Sequence, residues 1–158
     1  METSLTIRNL DSARALIEKA NTSQLKEIIS RAEALRVYAE QAKKGLVIQN
    51  QCAEIKLRAE RRIGERLKEE IKHGGQNKKA SLHDAISLKE LGIEGTQSHR
   101  WQAVASLSEK DFEKHLKEVQ ESNEELTTIG VIRLARELQK KESGETPPLP
   151  KGKYNIFL

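Results

Sequence analysis

Apolar and polar positions along the chain recur at helical spacings of three and four, and the alternation by two that a half-buried strand needs is absent. A first helix is expected to start at Asn9 or Asp11, either of which can cap it, and to run to about Asn21 with Leu16, Ile17 and Ala20 facing inward. "TSQLKE" restarts the pattern, with Thr22 or Ser23 as the cap. From there Leu25, Ile28, Ala32, Leu35, Ala39 and Ala42 alternate by three and four, the spacing of a coiled-coil seam. Lys43 and Lys44 place cations at the negative end of this helix, and Gly45 follows as its terminator. A third helix over about Leu46 to Lys72 carries the line Ile48, Cys52, Ile55, Ala59, Ile63, Leu67, Ile71, whose drift lies closer to 3.6 than to a strict heptad. So short a connection makes these two helices neighbours. They form an antiparallel hairpin if the chain reverses at Gly45 and one long broken helix if it does not; the hairpin is the favoured expectation.

"HGGQNKKAS" (73–81) interrupts the periodicity with two glycines and no apolar anchor. Two short helices are then expected, about Leu82–Leu91 and Thr96–Leu107, followed by a helix containing Phe112, Leu116 and Val119 that Ser108 and Asp111 open as a capping box. Thr127 or Thr128 begins the last helix, with Ile129, Ile132, Leu134, Ala135 and Leu138 on its apolar face and Arg133, Arg136 and Lys140 outside. "ESGETPPLPKGKYNIFL" has no helical pattern and reads as extended. The expected fold class is all-α: an N-terminal antiparallel, coiled-coil-like helical hairpin (1–73) for oligomerisation or partner binding, a flexible linker (74–81), a small helix-turn-helix domain (82–141) and an extended tail (142–158).

Composition agrees with this picture. Charged residues make up 33% of the chain and aromatics 3%, which suits solvated helices better than a large core, and all three prolines lie beyond residue 146. The net charge of +4 permits a polyanionic partner. It is spread thinly, with 15 basic and 11 acidic groups in residues 1–73, 5 and 4 in 74–110, and 8 and 9 in 111–158, so no segment is a polyanion footprint by itself. A single cysteine, Cys52, excludes an intrachain disulfide, fits a reducing compartment and reads as a small buried hydrophobe. No apolar run approaches the ~18 residues of a membrane span, and "METSLTIRNL" lacks a signal pattern. A cytoplasmic protein is expected.

The stretch "SLKELGIEGTQSHRWQAVASL" (87–107) concentrates the candidate chemistry. Leu88 and Leu91 lie three apart, Gly92 stands where a tight turn between helices needs a left-handed residue, and Ile93 follows as a core plug. Trp101, Val104 and Leu107 make one apolar stripe, which leaves Gln97, His99, Arg100 and Gln102 off the buried face. Arg and Gln read guanine and adenine edges in a major groove, so these four are candidate base readers, with Thr96, Ser98, Lys78 and Lys79 as candidate phosphate contacts. The alternative is a plain corner in a helical bundle; Leu88 occupies a place usually held by a small residue and would widen the angle. Arg58, Arg61, Arg62 and Arg66 are interleaved with glutamates at ion-pair spacing (Glu54–Arg58, Arg62–Glu65), so a salt-bridged face is preferred there to a phosphate strip. His73, His83, His99 and His115 have no zinc-ligand spacing, and the serines lack a nucleophile-elbow context. No catalytic residue, metal or cofactor is expected.

"LGIEGTQSHRWQAVASLSEKDFEKHL" resembles the helix-turn-helix of ParB-type partition proteins. Residues 31–119, above all "LRAERRIGE" (57–65) and "QSHRW" (97–101), are more similar still to a group of short helical proteins of phages and other bacterial mobile elements. Some of that group continue into an adenine methyltransferase with an Asp-Pro-Pro-Trp motif, through a junction similar to "PPLPKGKYNIFL" (147–158). The resemblance implies a DNA-binding or targeting half of such a system, in a bacterial or phage-infected cell, with double-stranded DNA and an adenine methyltransferase as partners. Neither Asp-Pro-Pro-Trp nor a glycine-rich cofactor loop occurs in this sequence. The expected function is non-catalytic DNA binding by a homodimer formed through residues 22–72; the alternative is a helical protein–protein adaptor that does not read DNA.

Overall fold

Caps and left-handed turn residues fix the helix limits. In the computed structural model, which describes residues 2–75, 88 and 91–142 (side chains of 10–69, 88 and 91–142), the helices are α1 (Glu2–Lys19), α2 (Thr22–Gln41), α3 (Leu46–Gly75), α4 (Gly95–Ala105), α5 (Glu109–Glu121) and α6 (Thr128–Glu142). Among the described residues there is no strand, and the fold is all-α. Lys78, Lys79, most of the first short helix expected over 82–91, and the tail lie outside the described residues.

The cap of α2 is Asn21 rather than Thr22 or Ser23. Asn21 Oδ1 accepts from the Gln24 N–H and Gln24 Oε1 from the Asn21 N–H, both at 2.9 Å, a reciprocal box that leaves Thr22 buried beneath it. Helix α1 begins at Glu2, well before the expected caps at Asn9 and Asp11. At the far end of α2 the left-handed residue is Lys43 (φ 56°), not Gly45, and the Lys44 N–H reaches back to the Ala39 carbonyl at 2.9 Å. Asn123 (φ 54°) ends α5 in the same way, with the Glu124 N–H on the Val119 carbonyl. Ser108 caps α5 as expected, its Oγ accepting from the Asp111 N–H at 3.1 Å.

Helix α3 is the shared element. Its residues Ala53 and Leu57 join Val104, Leu107, Phe112, Leu116, Leu126 and Val131 in one apolar cluster, while Ala59, Ile63 and Leu67 join Ile17, Leu25, Ile29, Ile93 and Trp101 in a second. The segment assigned from sequence to an N-terminal arm is thus packed against α4, and α3 buries more of its surface than the single expected line from Ile48 to Ile71. Glu54, Glu60 and Asn50 are buried with it, whereas Ile48 is 37% exposed and Cys52 half-buried. Asn50 clasps the approach to α6: its Nδ2 donates to the Glu124 carbonyl and its Oδ1 accepts from the Leu126 N–H, both at 2.9 Å.

On α2, Leu25, Ile29, Ala32 and Ala39 are buried, whereas Leu35 is 57% exposed and Ala42 lies in solvent. A 3.5-residue seam on a straight 3.6-residue helix rotates by about 20° per heptad, which carries Ile28, Leu35 and Ala42 progressively off the contact face. Leu16 of α1 and Ile129 of α6, both expected inward, are likewise exposed, and Val131 takes the core place on α6. Helices α3 and α4 touch through their backbones: a Cβ added at Gly64 would collide with the Trp101 carbonyl.

Candidate nucleic-acid interface

The segment entering α4 turns at Gly92, whose φ of 68° is the left-handed conformation expected of it. The Ile93 N–H donates to the Leu88 carbonyl at 2.8 Å, the 6→1 bond of a Schellman turn, and Ile93 is buried as the plug. Lys26 of α2 reaches this turn from outside, its Nζ donating to the carbonyls of Gly92 (2.7 Å) and Leu91 (3.3 Å). Nothing in the local pattern links Lys26 to a turn 66 residues later, so sequence reading missed it.

Helix α4 begins at Gly95, one residue before the expected Thr96, and its cap is Glu94, with Gln97 Oε1 accepting from the Glu94 N–H at 3.4 Å. Its inner face is Ser98, Trp101 and Val104, all buried, which corrects the assignment of Ser98 as a phosphate contact: at 2% exposure its hydroxyl cannot reach a ligand. Gln102 is half-buried and spends its amide on Ser98 Oγ at 2.8 Å, which takes it out of the base-reading set. Thr96, His99 and Arg100 remain together outside, at the i, i+3, i+4 spacing of one helix face, with exposed Gln97 at the edge. Among the described residues Arg100 has no hydrogen-bond or ion-pair partner.

Arg100 borders a cleft of about 240 Å³ whose other walls include Arg36, Lys56, Glu125 and Thr127–Ile129. The cations across it are committed. Arg36 grips Glu33 through two bonds (2.8 and 3.0 Å), which holds the Glu33 carboxyl down at about 2, and Lys56 bridges Glu33 at 3.0 Å. Beneath them Glu60 is buried, and that burial pushes its carboxyl up to about 7 against the opposing pull of Lys56 and of the Thr128 hydroxyl 3.2 Å away. A larger cleft, about 350 Å³, lies between α1, α3 and α5 and holds Arg14, Arg58, Arg61 and Arg62 against Glu18, Glu65, Glu109 and Glu113. Arg58 pairs there with Glu54 (2.8 Å) and Glu113 (2.6 Å) and, with Arg61, lies over the Phe112 ring. Equal numbers of both charges cancel its field, and the salt-bridged reading of the α3 arginines accounts for it.

Among the described residues no three of His, Cys, Asp or Glu converge as a metal site, and no helix is long and apolar enough to cross a membrane. No family model, characterised protein or solved structure matches the chain.

Proposed function

We propose that the protein binds double-stranded DNA without catalysing a reaction, and that α4 is its recognition helix in a helix-turn-helix whose turn includes Leu91–Glu94. The observation that carries this reading is the outer face of α4. Thr96, His99 and an unpartnered Arg100 stand exposed on a helix whose opposite face is anchored by Trp101 and Val104 and whose entry is fixed by Gly92. A guanidinium with no carboxylate partner among the described residues is free to take guanine O6 and N7. The modest net charge implies weak monomer binding, in the ~10⁻⁴–10⁻⁶ M range of non-specific contact.

Mobility shifts of a labelled duplex at ~50 and ~200 mM salt test the reading: affinity falls steeply with salt, and Arg100→Ala weakens it further. Binding indifferent to salt and to Arg100→Ala overturns it in favour of the adaptor. Two half-sites would be met by a homodimer of the α2–α3 hairpin, a reading supported by Leu35 and Tyr38, which are 57% and 66% exposed three residues apart on α2. Sedimentation equilibrium of wild type against Tyr38→Glu checks it; a monomer at every concentration rules it out.

A further inference from the structure

The described arginines divide by whether they have a partner. Arg14, Arg31, Arg36, Arg58, Arg61 and Arg62 each form an ion pair. Of those without one among the described residues, Arg66 is half-buried in α3, while Arg100, Arg133 and Arg136 are exposed. These last three are not scattered. Ile129, Arg133 and Arg136 stand at i, i+4 and i+7 of α6, one stripe over about 10.5 Å of helix axis. Exposed Ile129 lines the same cleft as Arg100, so the α6 stripe starts where the outer face of α4 ends. Helices α4 and α6 are packed against each other. Lys140 continues the stripe, and Glu137 lies at its flank.

We propose that α6 is the backbone-contacting element of the DNA interface, with Arg133 and Arg136 binding phosphates of the duplex while Thr96, His99 and Arg100 face the groove. This rests on the DNA reading above and deepens it. The argument is charge complementarity. A paired arginine must give up a carboxylate to take a phosphate, whereas Arg133 and Arg136 have none among the described residues to give up. Arginine's planar fork binds two phosphate oxygens at once, and contacts of this kind fix the register of a recognition helix without reading sequence.

The test is fluorescence anisotropy of a labelled ~24-bp random-sequence DNA duplex, titrated with the full chain at several salt concentrations between ~50 and ~200 mM. Arg133→Gln/Arg136→Gln is expected to weaken binding on the order of tenfold and to flatten the log K against log salt slope by about 2, roughly one unit per phosphate lost. Lys110→Gln/Lys117→Gln removes the same charge from exposed, unpartnered positions on α5 and should leave the slope within error of wild type. Far-UV melts matched to wild type accompany each variant. An α6 double variant that binds like wild type while Arg100→Ala loses affinity overturns the proposal and leaves the DNA reading standing. Equal losses in the α5 and α6 variants reduce the effect to net charge and also overturn it. A wild type that ignores the duplex, or prefers an RNA duplex of the same sequence, removes both.

Discussion

Glu60 is 2% exposed, with one carboxylate oxygen on Thr128 and Lys56 and the other without a partner. Its carboxyl titrates near 7 in the fold against 4.5 ordinarily, so between those values the native chain keeps a proton that the unfolded chain releases. Stability from this group therefore falls as pH rises from about 4.5 to 7, and the loss, about 3 kcal/mol, is complete above that. Glu33 has the opposite sign. Its carboxyl is lowered to about 2 by Arg36, so its contribution is present above 4.5 and lost as pH falls toward 2. Glu60→Gln keeps an acceptor for the Thr128 hydroxyl and removes the charge. Chemical unfolding at about pH 5 and about pH 8 should show the variant gaining on wild type by roughly 3 kcal/mol at the higher pH. A difference that does not change with pH contradicts the assignment.

At the scale of elements, the α3–α4 crossing depends on Gly64, where the Trp101 carbonyl occupies the space of a side chain. Gly64→Ala would gain helix propensity on an isolated helix but must push α4 off α3, and a net loss of about 3 kcal/mol is expected in thermal melts. A neutral or stabilising result would mean that the helices do not touch there. Asn50 works over a longer range: Asn50→Leu strands the Glu124 carbonyl and the Leu126 N–H, at roughly 1–3 kcal/mol each, and loosens the entry to α6. Slowed amide exchange of Leu126 in wild type and its loss in the variant would show this. These cases also mark what was legible in the sequence. The described helices, the Gly92 turn, the Ser108 cap and the burial of Trp101 follow from local spacing, and so does the exposure of Gln97, His99 and Arg100 on α4. Lys43 and Asn123 as left-handed terminators were not legible, because non-glycine residues there are held by the bonds that follow them. Nor were Lys26, Asn50 and Glu60, whose long-range partners lie 65 to 76 residues away and leave no local period. Ser98 looked outward only because its neighbours are polar.

For the molecule as a whole, the placement of α3 determines how the chain unfolds. One end of the helix is bound into the α1–α2 cluster and the other into the α4–α6 cluster, and Trp101, on α4, belongs to the first of these although Val104, three residues on, belongs to the second. Neither cluster can lose its packing without pulling on α3 or α4, so the two should unfold together. Leu116, buried on α5, touches only the α4–α6 cluster, while the single Trp101 reports on the other. Leu116→Ala is expected to cost roughly 2–5 kcal/mol. If the halves are one cooperative unit, the Trp101 fluorescence transition in urea shifts by that whole amount and coincides with the loss of far-UV signal. Had residues 1–73 formed an independent arm, Trp101 and Leu116 would lie together outside it, and the far-UV curve would split in two with only one part following the fluorescence. Coincident curves would mean that any ligand bound by the folded chain on α4 and α6 stabilises the α1–α2 cluster against unfolding by the same amount, with α3 and α4 as the mechanical link.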